Sequence, residues 1–279
     1  MKLIVIAMNI LFLNYAYSET SNCFPENHYL TLDFNPAKST QNFSLNEFEA
    51  NNIISQFTAT WKSTIKEKLN KDLSIELDWE NLAINATATR DMEDNLQIKI
   101  YGGMLRHPKQ TIEGIYLVLC HELGHFLGGA PKSFRGRSKL RSWSSAEGQA
   151  DYFASSKCMI KLFENGLFSK TYSSDNLACK DNYCHLITNS ALSLGKIFAS
   201  MRTDWVSPRL GKVIRETVSK TRFGHPNPQC RLDTFLAGQA CREKSYIDFD
   251  DNNFEIGACT STNEFVGLRP ACWFSEAIH

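Results

Sequence analysis

The chain has 279 residues, with 30 basic and 30 acidic side chains and a formal net charge of zero. That balance excludes the strongly basic surface of a nucleic-acid binder. Beyond the N-terminus no stretch approaches the roughly 18 consecutive apolar residues of a membrane-spanning helix.

Residues 1–18 read as a secretory signal peptide, with Lys2 as a short positive region, an apolar run from Leu3 to Leu13 and a small-x-small cleavage site at Ala16-Tyr17-Ser18. Cleavage there makes the protein secreted or periplasmic, with no stable membrane insertion afterwards. Nine cysteines in an exported chain imply disulfides. Cys120 sits on an apolar helix and is expected as a buried free thiol. Among the other eight, Cys230 with Cys241 and Cys259 with Cys272 would each close a short local loop. A structural zinc site of four cysteines is the competing idea, but the chain has no C-x-x-C pair.

Residues 19–43 are polar and read as an extended N-terminal segment. Ser44 with Glu47 forms a capping box, and Phe43 with Phe48 the matching staple. Ile54, Phe57, Trp61, Ile65 and Leu69 follow at helical spacing, predicting an amphipathic helix over 45–70. The period then changes to two. Segments 73–79, 84–89 and 96–101 alternate apolar and polar, predicting a small, mainly antiparallel sheet. Pro108 and Thr111 open the next helix and Gly128-Gly129 close it. The segment 131–143, with Lys132, Arg135, Arg137, Lys139 and Arg141, reads as a solvated basic loop. Ser144 or Ser145 caps a helix running to about Phe163, and further helices are expected over 185–202 and 208–221. The remainder is rich in Gly, Pro and Cys and reads as loop. The expected organisation is one α+β domain over 44–225, with a cysteine-rich part over 226–279 packed on it.

The centre of the chain is His121-Glu122-Leu123-Gly124-His125. Residues four apart on a helix share a face, so His121 and His125 can offer two imidazoles to one metal ion. Glu122 lies one position around, within reach of a water beside that ion. A catalytic zinc site needs a third protein ligand. Twenty-two residues downstream, Glu147-Gly148-Gln149-Ala150-Asp151 carries two carboxylates one helical turn apart. Glu147 can complete a site of two histidines and one glutamate, and Asp151 can accept the outer N–H of a ligand histidine. The other reading of these residues is an ordinary Ser144–Glu147 capping box with Asp151 as a surface charge.

With these residues in view, the chain resembles the gluzincin metallopeptidases, which share the H-E-x-x-H…E-x-x-x-D plan. It is most similar to soluble relatives of the HtpX-type and prenyl-protein endopeptidases, and the likeness is specific over about 107–160. Those enzymes also carry a later His-Pro…Arg element, which Gly224-His225-Pro226-Asn227-Pro228-Gln229-Cys230-Arg231 resembles. The resemblance implies a zincin-like domain and one Zn2+ per chain. It implies that His225 assists at the oxyanion and that Arg231 orders the site. It further implies that the strand before the zinc helix, Gln97, Ile98, Lys99, Ile100 and Tyr101 ending at Gly102, is an edge strand that pairs with an extended peptide substrate. Membrane helices found in the HtpX and prenyl enzymes have no counterpart here, and neither does the cysteine-rich tail in the family's pattern.

The expected function is a zinc-dependent endopeptidase acting on protein or peptide substrates, with His121, His125 and Glu147 as ligands and Glu122 as general base. Two other classes fit the same sequence less well. One is a catalytically silent zincin-fold binding or assembly protein of the cell envelope, and the other a disulfide-rich structural protein without metal.

Overall fold

A computed structural model describes residues 21–22, 45–134, 141–168, 170–212, 214–261 and 266–277. The expected signal peptide, most of the 19–43 segment, and Phe43, Ser44, Cys23 and the loop 135–140 lie outside the described residues. Ser21–Asn22 forms a short strand, β1.

The first helix, α1 (Glu47–Leu69), starts two residues later than expected. Asn46 rather than Ser44 is its cap: the Asn46 side chain accepts from the Glu49 N–H, and the Glu49 carboxylate accepts from the Asn46 N–H. Phe48 is 74% exposed, and its expected staple partner Phe43 lies outside the described residues. The stripe Ile54, Phe57, Trp61 and Ile65 is buried, as its spacing dictates, but Leu69 at the end of the helix is exposed.

Strands β2 (Leu73–Asp78), β3 (Ala86–Arg90) and β4 (Leu96–Tyr101) form a sheet in the order β1-β3-β4-β2. Two of its three pairings are antiparallel, while β2 and β4 run parallel in full register from Leu73–Leu96 to Asp78–Tyr101. A short helix, α2 (Gly102–Leu105), leads to the long α3 (Ile112–Leu127), whose N-cap Thr111 accepts from the Gly114 N–H. Helices α1 and α3 pack on the sheet and build the main core from Phe57, Ile65, Ile98, Ile100, Leu119 and Leu123.

The basic stretch after α3 is not a simple solvated loop. It contains a hairpin of β5 (Lys132–Phe134) and β6 (Arg141–Ser145). Lys132 is buried; its Nζ donates to the Trp143 carbonyl and pairs with Asp251. No Ser144–Glu147 capping box forms, because Ala146 is the N-cap of α4 (Glu147–Phe153). Right-handed backbone then continues through a single π-turn, Ala154–Cys158, into α5 (Met159–Glu164).

Helix α6 (Asn182–Ala199) matches its expected place, but 208–221 is not helical. Its backbone groups are met by tertiary partners instead: the Arg209 N–H by the Gln229 side chain and the Val218 N–H by the Ala271 carbonyl. The region expected as loop holds α7 (Pro228–Ala240). Asn227 caps it by accepting from the Cys230 N–H, and Pro228 fills the first turn, where a missing N–H costs nothing. Leu232 and Phe235 of α7 belong to the main core.

The four disulfides are Cys120–Cys158, Cys179–Cys184, Cys230–Cys272 and Cys241–Cys259. Cys120 is therefore not a free thiol, and the Cys230–Cys241 and Cys259–Cys272 pairs are not formed. Cys230 and Cys241 lie at opposite ends of α7, too far apart to join. Each instead bridges to the C-terminal chain and pins it to that helix. Among the described residues no helix is long and apolar enough to cross a membrane.

Candidate metal centre

Helix α3 presents His121 and His125 on one face with ring centroids 4.8 Å apart, and both side chains are fully buried, as is Glu122. Each imidazole is oriented through its Nδ1. His121 Nδ1 stands 2.6 Å from Oδ1 of Asp151. His125 Nδ1 stands 3.0 Å from the Ser145 carbonyl and 3.1 Å from the Ser144 hydroxyl. A carbonyl only accepts, so His125 donates from Nδ1 and directs the lone pair of Nε2 inward.

Glu147, the first residue of α4, closes the group from above. Its Oε2 is 3.2 Å from His121 Nε2, and its Oε1 is 3.8 Å from His125 Nε2. Contact between the two helices requires Gly124. A Cβ there would sit 2.8 Å from the Ala150 carbonyl oxygen and 2.9 Å from its Cα, so any larger residue would push α4 and its carboxylate away. The Gln149 side chain, donating to the Gly128 carbonyl at 2.6 Å, and the Cys120–Cys158 disulfide fix the same two segments to each other.

His121 Nε2 and Glu147 Oε2 face each other in the interior without a hydrogen-bond partner. Buried polar atoms rarely remain so, and a shared ion is one of the few things that satisfies a nitrogen lone pair and a carboxylate together. The donor atoms of His121, His125 and Glu147 all lie within 4.8 Å of one another. Among the described residues this is the one His/Cys/Asp/Glu group of that kind. The three residues could hold a metal ion.

Electrostatics separate the two histidines. Burial disfavours charge on His121, but the Asp151 charge and hydrogen bond, with Glu147, outweigh it and raise the imidazole to about 9. A metal ion therefore competes with a proton at its Nε2. Burial dominates for His125 and lowers it to about 4, which favours the neutral ligand form. For Glu147 the charges of His225, His125 and His121 overcome burial and hold the carboxyl well below the ordinary range.

The structure brings His225 to the group as well. Its Nε2 is 3.4 Å from Glu147 Oε2, and its segment is tied to α4 by the Glu147 N–H donating to the Phe223 carbonyl. Arg231, from α7, grips Asp151 with two hydrogen bonds beneath His121. Ser144 and Ser145, which orient His125, were not anticipated as site residues. Helix α7 was also missed, although Asn227-Pro228 is a cap followed by proline in the first turn and signals a helix start.

The strand expected to bind substrate is elsewhere in the sheet order. Gln97 to Tyr101 form β4, which is hydrogen-bonded to β3 on one side and β2 on the other. Its backbone donors and acceptors are used, so it is not an edge and cannot receive a peptide. The space beside Gly102 is filled by the Trp79 carbonyl, so the chain's own backbone makes the close approach there.

Comparison of the chain with known protein families, with curated proteins and with solved structures gives no match.

Proposed function

We propose that this chain is an exported zinc-dependent endopeptidase of the gluzincin type, with a zincin-like domain holding one zinc ion through His121, His125 and Glu147. The observation that carries the reading is the convergence of two buried, Nδ1-oriented histidines and a buried glutamate, with Glu122 on the same helix. Two imidazoles and a carboxylate are a donor set that zinc favours in catalytic sites. Donors on a tetrahedral zinc at roughly 2 Å stand roughly 3.3 Å apart, and the Nε2–Oε separations of 3.2 and 3.8 Å bracket that value.

When bound, the zinc ion would polarise the scissile carbonyl and acidify a water at its open position. Glu122 takes the proton of the attacking water and passes it to the departing amine. His225, whose Nε2 lies 3.4 Å from Glu147 Oε2, would donate to the oxygen on which negative charge develops. Asp151 holds the His121 ring in orientation, and Arg231 keeps Asp151 ionised.

The test combines metal analysis with digestion of a peptide library, with and without chelator. One zinc per chain and chelator-sensitive endoproteolysis are expected, and Glu122→Gln should retain the metal while losing hydrolysis. Full hydrolysis by Glu122→Gln would sink the mechanism. One zinc without any cleavage would instead assign a silent binding or assembly protein.

A further inference from the structure

A cavity of about 560 Å3 lies behind the C-terminal end of α3. It opens between α1, the helical run over 153–164 and the segment over 245–251, and its volume is typical of a small-molecule site. Trp61, Phe126, Phe153, Phe249, Leu127 and Ile160 supply an aromatic and aliphatic wall.

Two lysines on one helix face also line the cavity, Lys157 in the π-turn and Lys161 one turn later. Lys157 is 6% exposed. Its Nζ donates to the carbonyls of Lys244 and Gly257 and lies 4.7 Å from the centre of the Phe249 ring. Lys161 Nζ donates to the Thr64 hydroxyl and lies 4.5 Å from the centre of a Trp61 ring.

Among the described residues neither lysine pairs with a carboxylate. Two acids of the lining are already engaged, Asp248 by Lys68 and Asp251 by Lys132. Glu164, the third, is exposed at the rim. Like charges four residues apart on a helix repel, and a buried ammonium without a counter-ion is costly. Burial, with the charges of Lys244 and Arg269, pushes Lys157 down to about 7 against the pull of Asp248. An anion between the two ammonium groups would offset both penalties, and the apolar wall beside them calls for a tail on that anion.

We propose that this cavity binds a fatty carboxylate, with its head group between Lys157 and Lys161 and its tail along Trp61, Phe153 and Phe249. The Lys68–Asp248 ion pair and the Tyr246 ring line the cavity on its exposed side, where such a ligand would enter. The site is separate from the His121–His125–Glu147 group, so its test stands whatever that group catalyses.

The test is calorimetric titration of the full chain with decanoate at pH 6.5, where Lys157 is mostly charged and decanoate remains an anion, below its micelle concentration, beside decanol and decyltrimethylammonium, which carry the tail without the anion. One decanoate per chain should bind, and Lys161→Met should weaken it by about tenfold or more. Thr64→Trp, which fills the cavity from α1, should abolish binding. A chelator should leave the affinity unchanged. Equal binding of decyltrimethylammonium, undiminished binding by Lys161→Met, or loss of binding on chelation, which would place the carboxylate on the metal centre, would each overturn the proposal. So would failure of decanoate to bind.

Discussion

Arg231 and Asp151, 80 residues apart in the chain, form a two-pronged ion pair in the interior directly beneath His121. Arg231 Nε donates to Oδ2 at 2.7 Å and Nη2 to Oδ1 at 2.6 Å, and Oδ1 also meets His121 Nδ1 at 2.6 Å. The guanidinium centre lies 3.9 Å from the Phe198 ring centre on α6. Helices α3, α4, α6 and α7 thus meet around one carboxylate. Burial alone would push the Asp151 carboxyl up, but the charges of Arg231 and His121 hold it below the ordinary range. Isolated buried pairs add little net stability. The value of this one lies in fixing the ring that faces Glu147.

Asp151→Asn keeps the shape of the side chain but weakens the hold on the His121 N–H. Metal affinity should fall by about 10–100-fold, read by competition with a chromophoric chelator. Arg231→Met strips Asp151 of its guanidinium partner, leaves His121 as its remaining counter-charge and should cost up to about 3–5 kcal/mol in urea unfolding. Arg231→Lys should not restore the wild-type value, because a single ammonium cannot reproduce the fork. Wild-type metal affinity in Asp151→Asn would remove the orienting role.

Gly148, next to Glu147, lies against the fully buried ring of Trp273, where a Cβ would come within 2.3 Å of ring carbons. The ring has little room to retreat, since Phe274 flanks it and the Cys230–Cys272 disulfide anchors its segment. Gly148→Ala should therefore destabilise the protein by about 1–3 kcal/mol through overpacking. The measurement is the urea midpoint at constant m-value. An unchanged midpoint would mean that the C-terminal segment yields more easily than its packing implies.

The Cys120–Cys158 bridge closes a loop of 38 residues between α3 and the π-turn. Chain entropy assigns such a cross-link about 4 kcal/mol. Cys120→Ala with Cys158→Ala should lose stability on that order. A non-reduced peptide map should recover the Cys120–Cys158 pair and no Cys230–Cys241 pair.

His107 is buried, with its Nδ1 accepting from the Lys109 N–H at 3.1 Å. Burial, aided by the Lys109 charge, lowers it from 6.5 to about 4. Between these values the unfolded chain binds a proton that the folded chain refuses, so stability falls as pH drops from about 6.5 to 4. The full effect is on the order of 3 kcal/mol. His107→Asn keeps an acceptor without a titrating ring, and its stability should decline less steeply over that window. Parallel pH profiles of the two proteins would contradict this origin of acid sensitivity.

What the sequence determined by itself was local. The four-residue spacing of His121 and His125, and of Glu147 and Asp151, survives any tertiary arrangement because a helix imposes it. The stripe of α1 and the alternation of β2 and β4 were legible for the same reason: burial follows the period of the backbone, whereas Ala86, Thr87 and Ala88 of β3 are all buried. Tertiary structure alone decided everything that depends on partners distant in the chain. Strand order placed β4 inside the sheet, with β3 on one side and β2, which precedes β3 in the chain, paired in parallel on the other. Disulfide pairing joined segments distant in the chain in Cys120–Cys158 and Cys230–Cys272, and closed a short local loop in Cys179–Cys184. The stretch 208–221 has its backbone groups met from outside and stays non-helical, while Asn227-Pro228 opens a helix that carries Arg231 to Asp151. Periodicity specifies which face of an element is buried. Which other face covers it, and hence which carboxylate meets which histidine, is settled only when the helices pack.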